Sequence, residues 1–209
     1  MIRRFAKSED GATMVEMSIV CVLLFTLVLG FVDFGYAFYQ WNAATKAVEI
    51  GARLASISDP VATALPNAGP ISSPGAPVVA GAWGPFVCAF QAGTGICSNS
   101  GSFSAANFSR IFRGDTANTN DDACPDLAVN QRAGMCHYFP GLRRDNVVIT
   151  YSATGLGYQT RLGGPVPTIT VSLRNITFQF FFLNWLYANK AMPSMLSTVT
   201  GEDMKSTFP

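Results

Sequence analysis

The sequence predicts an α+β protein in which one long N-terminal helix packs on a small antiparallel sheet domain with disulfide-bearing loops. Residues 17–32 form an apolar run without a charged side chain, and good helix formers continue beyond it to Ser56. After Pro140 the pattern changes to β-branched and aromatic residues that alternate with polar ones, which is typical of strands. One anchor helix and one modest domain account for the 209 residues.

The N-terminal run is long enough to span a bilayer. The leading decapeptide MIRRFAKSED is basic before the run, and positive charge on that flank holds this end in the cytoplasm, so the remainder is exported. A cleaved secretory signal is the alternative, but the run is long for its apolar core and no small-x-small site follows before Asp33. Since no proline occurs before Pro60, the helix is expected to cover residues 12–57, with roughly 65 Å of length shared between lipid and exterior.

The outer half of this helix is predicted to be amphipathic. Bulky residues recur at three- and four-residue steps and form one semi-apolar stripe, made of Phe34, Phe38, Trp41, Thr45 and Val48. The outer half also contains small residues that allow close approach, either of the protein's own sheet domain or of another subunit, and both interpretations stay open. These small residues are Ala43, Ala44, Ala47, Gly51, Ala52 and Ala55.

Two carboxylates interrupt the apolar stretch. An isolated carboxylate in hydrocarbon costs about 2.5 to 3.5 kcal/mol on insertion scales, so Glu16 near the start of the run indicates a function. Asp33 is expected near the outer membrane interface, where partial hydration makes a charge less costly. We interpret Asp33 as a marker of that interface, and contact with another component is the alternative.

The segment Gly11-Ala12-Thr13-Met14-Val15-Glu16, behind a short basic leader, resembles the type IV prepilin processing signal. The resemblance implies a leader of residues 1–11 that a membrane aspartyl peptidase removes after Gly11. Ala12 is then the new N-terminus and Glu16 the assembly carboxylate, fifth in the mature chain. Helix physics agrees, because an ammonium at a helix N-terminus is disfavoured and Glu16 one turn later neutralises it.

Three further stretches resemble the C-terminal half of TadE-like proteins of Tad loci: NVVITYSATGLGYQ, PTITVSLRNITFQF and MPSMLSTVTGEDM. With its pilin-like helix ending in GARLAS, the chain is similar to TadE-like pseudopilins of the Tad (Flp-type) pilus system. The resemblance implies a non-enzymatic subunit that helps initiate, prime or anchor the pilus. It also implies five partners: a prepilin peptidase, the major Flp-type pilin, a sister pseudopilin, the inner-membrane assembly platform and membrane lipid.

The same resemblance implies a bacterial inner-membrane protein with a single pass, a cytoplasmic N-terminus and a periplasmic domain over residues 58–209, with incorporation into the extracellular pilus left open. Within that domain, residues 58–84 are rich in Pro, Gly, Ala and Ser and are predicted to be a linker or a loop draped over the domain. A short helix is predicted within Ser102–Phe112. Three strands are predicted at residues 147–151, 168–173 and 176–183.

The cysteines divide between the apolar run, which contains Cys21, and the exported domain, which contains the other four. In an oxidising compartment this even set predicts two disulfides with three possible connectivities. Short separations favour Cys88 with Cys97 and Cys124 with Cys136. Reduced cysteines or a zinc site are the alternatives, but zinc usually needs C-x₂₋₄-C pairs, which are absent.

Other function classes find little support. Only 13% of residues are charged and the net charge is +1, so a nucleic-acid partner is not expected. His137 is the single histidine, and the glycine-rich stretches lack the P-loop pattern, so no metal, cofactor or catalytic site is predicted. The acids Asp115, Asp121, Asp122 and Asp126 do not match an EF-hand and are expected in a solvated loop.

Two alternative functions stay open. The first is a subunit at the pilus tip that contacts a surface through aromatic loops such as Ala82-Trp83-Gly84. The second is a signal-anchored exported domain of another function, such as a hydrolase that depends on His137.

Overall fold

The computed structural model describes residues 9–116, 121–184 and 190–204, and within them it contains an α+β fold. The helices are α1 (Glu9–Ile57), α2 (Ala105–Arg113) and α3 (Met135–Tyr138). The strands are β1 (Phe86–Gln91), β2 (Thr94–Cys97), β3 (Val147–Ser152), β4 (Thr168–Leu173) and β5 (Leu196–Thr200). The chain divides into two compact units: unit 1 is Met1–Gln40 with Thr177–Ala191, and unit 2 is Trp41–Ile176 with Met192–Pro209.

Helix α1 confirms the long helix that the sequence predicted. It contains 49 residues and ends at Ile57, shortly before Pro60. The residue before a proline is pushed out of the helical region, and proline itself has no N–H to continue the hydrogen-bond ladder. Helix α2 also agrees with prediction, and Ser104 caps its first turn by accepting the N–H of Asn107 at 3.3 Å.

Unit 2 contains a five-stranded antiparallel sheet with the strand order β2-β1-β3-β4-β5. On the central strands every second residue is buried, and the register sets buried residues opposite each other, as in the Ile149–Val171 and Tyr151–Ile169 pairs. A slip of one residue would turn these side chains to the other face, so burial specifies the register. The predicted pairing of β3 with β4 through a long glycine-rich connection is therefore confirmed.

The core of unit 2 includes the C-terminal part of α1. Small residues on this part of the helix are buried in one cluster with the sheet residues, which confirms the predicted core of helix on sheet: Ala44, Ala47, Ala52 and Ala55. The predicted bulky stripe is only partly correct. Val48 is buried in the same cluster, whereas Phe34 and Phe38 belong to unit 1 and are exposed.

Residues 58–84 are part of unit 2 and pack into its core. Val61 and Leu65 are buried in the core, and the N–H of Val61 donates to the hydroxyl of Tyr151 at 3.0 Å. A bridge joins Ala62 to Phe103. Segment 58–84 thus contributes core residues although it contains only a short 3₁₀ turn, Leu65–Asn67.

The predicted strand at residues 176–183 is wrong. These residues form one isolated bridge, Thr177 with Ala191, and no ladder. The neighbour of β4 is instead β5, and β1 and β2 lie in the cysteine-bearing region where the sequence suggested no strand. The physical reason is that the N–H groups of residues 181–183 bond to a side chain of α1 rather than to a strand.

Candidate functional site

The predicted processing segment lies near the start of α1. Gly11, Ala12 and Glu16 are all exposed on this helix, whereas Arg3, Arg4 and Lys7 of the leader lie outside the described residues. Ala12 and Glu16 are four residues apart, so they share one face of the helix. Within the described part of the chain, no ion pair engages Glu16.

The first half of α1 has the length and composition of a membrane span. It carries apolar side chains on its whole circumference, and most of those from Met14 to Val32 are exposed. Two of its hydroxyl groups bond within the helix, Ser18 to the carbonyl of Met14 and Thr26 to that of Val22, both at 2.8 Å. Hydroxyls satisfied in this way can face hydrocarbon. This is the one helix of its kind among the described residues, and it supports a membrane-anchored protein.

Asp33 forms a buried polar contact within unit 1. Its side chain is 0% exposed and accepts three backbone hydrogen bonds. Oδ1 accepts the N–H of Phe181 at 2.9 Å, and Oδ2 accepts those of Phe182 at 2.9 Å and Leu183 at 2.6 Å. A carboxylate is a strong acceptor, and bonds to an ionised acceptor are about twice as strong as neutral ones. Asp33 therefore fixes the backbone at residues 181–183.

Gln40 makes a second contact of the same kind. Its Nε2 donates to the carbonyl of Gln179 at 2.8 Å, and its Oε1 accepts the N–H of the same residue at 2.9 Å. The glutamine amide thus bonds to the backbone of Gln179 as a neighbouring strand would. Between the two polar residues, the ring of Tyr36 packs on that of Phe181 with centroids 4.7 Å apart.

Sequence reasoning identified Asp33 but missed Tyr36 and Gln40. The three residues follow an i, i+3, i+7 spacing, which puts them on one face of a helix. A search for polar residues at this spacing inside an apolar helix would have found them. Their partner segment, residues 179–183, has no pattern that points to Asp33, because the contact is long-range and uses backbone groups.

The four cysteines of unit 2 form the two favoured disulfides. Cys88–Cys97 joins residues that lie directly opposite each other on β1 and β2, and Cys124–Cys136 links a loop to α3. Cys21 is a free thiol. The sulfurs of Cys124 and Cys136 lie within 4.8 Å of a ring nitrogen of His137, but in a disulfide they offer no thiolate to a metal.

His137 holds the loop next to α3. Its Nδ1 accepts the N–H of Gly134 at 3.2 Å, and its Nε2 donates to the carbonyl of Pro125 at 2.9 Å. Because both ring nitrogens bond to backbone groups, the imidazole acts here as a loop brace rather than as a base aimed at a substrate.

The acidic residues are exposed, as the sequence predicted, and three of them also pair with arginines. Asp115 receives a two-pronged contact from Arg132 at 2.9 and 3.0 Å, and Asp122 contacts Arg144 at 3.2 Å. The side-chain hydrogen bonds from Arg132 lower the pKa of Asp115, and its backbone N–H acts in the same direction. Arg113 is buried and donates to the carbonyl of Ala123 at 2.7 Å.

The proposed aromatic contact loop does not present its tryptophan. Trp83 is 8% exposed and belongs to the core of unit 2, where its ring packs near that of Phe86 at 5.8 Å between centroids. A surface contact through the Trp83 ring is therefore contradicted by its burial.

Comparison with known proteins identifies one part of the chain. No curated protein and no solved structure matches it significantly. The family model described as TadE-like protein matches residues 11–53, which include the predicted processing residues Gly11, Ala12 and Glu16, the apolar span, Asp33 and Gln40. Over residues 11–53 the chain is thus confirmed as similar to the TadE-like proteins, a family of components associated with the Tad pilus.

Proposed function

We propose that the protein is a TadE-like pseudopilin, a structural subunit that helps initiate, prime or anchor a Tad-type type IV pilus and has no enzymatic role. The observation that carries this proposal is the family match over residues 11–53. The matched segment combines the Gly11/Glu16 spacing with one continuous helix that begins as an apolar span and ends in the core of unit 2.

The proposal includes removal of the leader by a prepilin peptidase between Gly11 and Ala12. Both residues are exposed, which supports access to the bond. Cleavage leaves an ammonium at the N-terminus of α1, where the helix dipole disfavours positive charge. Glu16 lies one turn later on the same face, so it neutralises this ammonium within the subunit or in a neighbouring helix as subunits assemble.

The proposed location is the bacterial inner membrane, with the N-terminus in the cytoplasm and residues 58–209 in the periplasm. Two disulfides support an oxidising compartment for that domain. The proposed partners are the prepilin peptidase, the major Flp-type pilin, a sister pseudopilin, the inner-membrane assembly platform and lipid.

The decisive experiment is intact-mass and N-terminal analysis of the protein purified from membranes. We expect a mature chain that starts at Ala12. Gly11→Val is expected to block cleavage, because the peptidase cuts after this glycine, whereas Gly30→Val within the span is expected to leave it unchanged. A wild-type chain that keeps Met1, or one cut near Asp33 as by a signal peptidase, would contradict the proposal.

Fractionation separates the proposed role from the two alternatives. A subunit that anchors the pilus is expected in membrane fractions, whereas strong enrichment in sheared pili would favour a tip adhesin. Because Trp83 is buried, the adhesin alternative would need an aromatic loop other than Ala82-Trp83-Gly84. A hydrolytic activity of the purified protein that His137→Ala abolishes would favour the enzyme alternative.

A further inference from the structure

Residues 177–184, here called the aromatic segment, are attached to α1 by Asp33, Tyr36 and Gln40. We propose that the aromatic segment lies in the outer lipid–water interface of the membrane, where its exposed phenylalanine rings contact lipid. Asp33 and Gln40 are then positioning residues that hold the segment at this depth. The inference concerns membrane contact by a second segment of the chain and goes beyond the proposed role in pilus biogenesis.

The position of Asp33 along α1 sets the depth. Asp33 follows Ala12 by 21 residues in one uninterrupted helix. At 1.5 Å per residue this is about 32 Å, close to the roughly 30 Å thickness of the hydrocarbon core. If the span begins near Ala12, Asp33 and the backbone it binds lie at the opposite boundary of the hydrocarbon.

The hydrogen bonds of the aromatic segment suit a site away from water. Most of the segment is neither helix nor strand, and irregular backbone at membrane depth must find partners within the protein. The N–H groups of residues 181–183 donate to Asp33, both backbone groups of Gln179 bond to Gln40, and the N–H of Phe178 donates to the carbonyl of Lys190 at 2.8 Å. In water these groups would be solvated without such an arrangement, so the contacts matter most where water is scarce.

Asp33 itself supports the same conclusion. A carboxylate removed from water needs compensating donors, and three backbone N–H groups supply them. The Asp33 carboxylate accepts hydrogen bonds from backbone N–H groups that have no strand or helix partner, and the same N–H groups compensate the buried charge of Asp33. A marker acid that only pointed into the headgroup layer would stay exposed.

The exposed side chains of the aromatic segment are uncharged, and its two exposed phenylalanines lie beside the polar Thr177, Gln179 and Asn184. Phe181 is 65% exposed and Phe182 is 48% exposed, and residues 177–184 contain no charged side chain. Exposed apolar side chains of α1 flank Asp33 at Phe31, Val32 and Phe34, so the phenylalanine surface lies next to the apolar surface of the span. Amphipathic aromatic surfaces of this kind favour the membrane interface. This continuity with the span identifies lipid rather than a soluble protein as the occupant.

The test places a photoreactive side chain in the full-length protein in lipid nanodiscs. Phe182→p-benzoylphenylalanine keeps an aromatic ring at the site and forms adducts with whatever touches it. Phe25, exposed in the middle of the span, is the positive control, and Leu162, 95% exposed in unit 2, is the control outside the proposed contact. We expect lipid adducts, detected by intact mass, at positions 25 and 182 and none at position 162.

Each other outcome overturns the inference. Adducts at position 25 but not at 182, or adducts at 182 with another polypeptide chain, would show that lipid does not cover the aromatic segment. If position 25 also gave no lipid adduct, the apolar part of α1 would not lie in lipid, and the membrane anchor of the proposed function would fail as well. The two failures are therefore distinguishable.

The role of Asp33 is tested by hydrogen exchange of residues 181–183 in nanodiscs. Asp33→Asn keeps the size of the side chain but loses the charge and one acceptor oxygen, so we expect these amides to exchange roughly tenfold faster or more. Lipid adducts at position 182 should fall in the same variant. Glu16→Gln neutralises another acid of α1 and should change neither measurement. Unchanged exchange and unchanged adducts in Asp33→Asn would contradict the positioning role.

Discussion

The carboxylate of Asp33 accepts the backbone N–H of Phe181, 148 residues further along the chain, at 2.9 Å. Through this bond and its two neighbours, one side chain of α1 takes the place that a neighbouring strand would have beside residues 181–183. Two helical turns later, the side chain of Gln40 forms hydrogen bonds to the backbone of Gln179 in a similar way. The matched segment 11–53 therefore contains not only an anchor but also the groups that organise part of the C-terminal half.

The side-chain amide of Gln40 is predicted to slow hydrogen exchange of the Gln179 backbone N–H. Gln40→Met keeps the length of the side chain but removes the hydrogen-bond partners of both the N–H and the carbonyl of Gln179. We expect the N–H of Gln179 to exchange roughly tenfold faster or more in the variant. Hydrogen exchange with mass spectrometry on the full-length protein measures this. Gln91→Met, at an exposed glutamine of unit 2, should leave Gln179 unchanged, and an equal effect of both variants would contradict the prediction.

Gly134 is predicted to be irreplaceable because two backbone segments cross beside it. A Cβ at this position would lie 2.3 Å from the nitrogen of Gly114 and 2.5 Å from the carbonyl oxygen of Phe112. Backbone at the end of α2 cannot yield as a flexible side chain can, so Gly134→Ala is expected to destabilise unit 2 by about 3 kcal/mol or more. Thermal unfolding followed by near-ultraviolet circular dichroism tests this.

The matched control for Gly134 is Gly69→Ala. Its added Cβ would meet no atom closer than 3.4 Å, at Pro165, and we expect a change below about 1 kcal/mol. Similar losses of stability in both variants would show that the close backbone approach is not the cause.

The pair of Asp115 and Arg132 is predicted to make unit 2 less stable in acid. Hydrogen bonds from Arg132 hold the pKa of Asp115 below its unfolded value of about 3.9. The ionised pair therefore stabilises the fold above pH ~4, and this contribution is lost as the pH falls through the lowered pKa. Both side chains are partly exposed, so the expected effect is modest.

Unfolding midpoints at pH 7 and pH 3 provide the measurement for this pair. Asp115→Asn and Arg132→Gln should each reduce the difference between the two midpoints, because neither retains the full contact. Arg53→Gln removes an exposed cation from α1 and is the control for net charge; it should keep the wild-type difference. If Asp115→Asn and Arg132→Gln both kept the wild-type difference between the two midpoints, the Asp115–Arg132 pair would not be a source of the loss of stability in acid.

Cysteine labelling is predicted to give one and then five reactive thiols. The chain has five cysteines, of which four form disulfides and Cys21 is free. Alkylation of the unfolded, unreduced protein should therefore add one label, and alkylation after reduction should add five. Peptide mapping should join Cys88 to Cys97 and Cys124 to Cys136. Each closed loop contributes about 3 kcal/mol on the chain-entropy estimate, so Cys124→Ser with Cys136→Ser should lower the unfolding midpoint.

Local periodicity was sufficient for much of the fold. The apolar run and the absence of proline before Pro60 predicted α1, and the alternation of β-branched residues predicted β3 and β4. Short separations also indicated the correct disulfide partners, because nearby cysteines have the smallest loop-closure cost.

Local patterns failed where long-range contacts decide the structure. Residues 176–183 have strong strand propensity, yet Asp33 and Gln40 bond to their backbone and they form no ladder. Strand β1 was missed because its burial pattern does not alternate regularly, and the burial of Trp83, named in the adhesin alternative, depends on distant core residues that no local pattern shows.

By itself the sequence determined the spacing of Gly11 and Glu16, the length of the apolar helix and the similarity to TadE-like proteins over residues 11–53. These features depend on residues close together in the chain. Only the tertiary structure decided that the small residues of α1 pack on the sheet of unit 2 and that Asp33 is bound by its own chain. Both depend on which distant groups satisfy a buried surface or charge, and the free energy of such contacts exists only once the chain has folded.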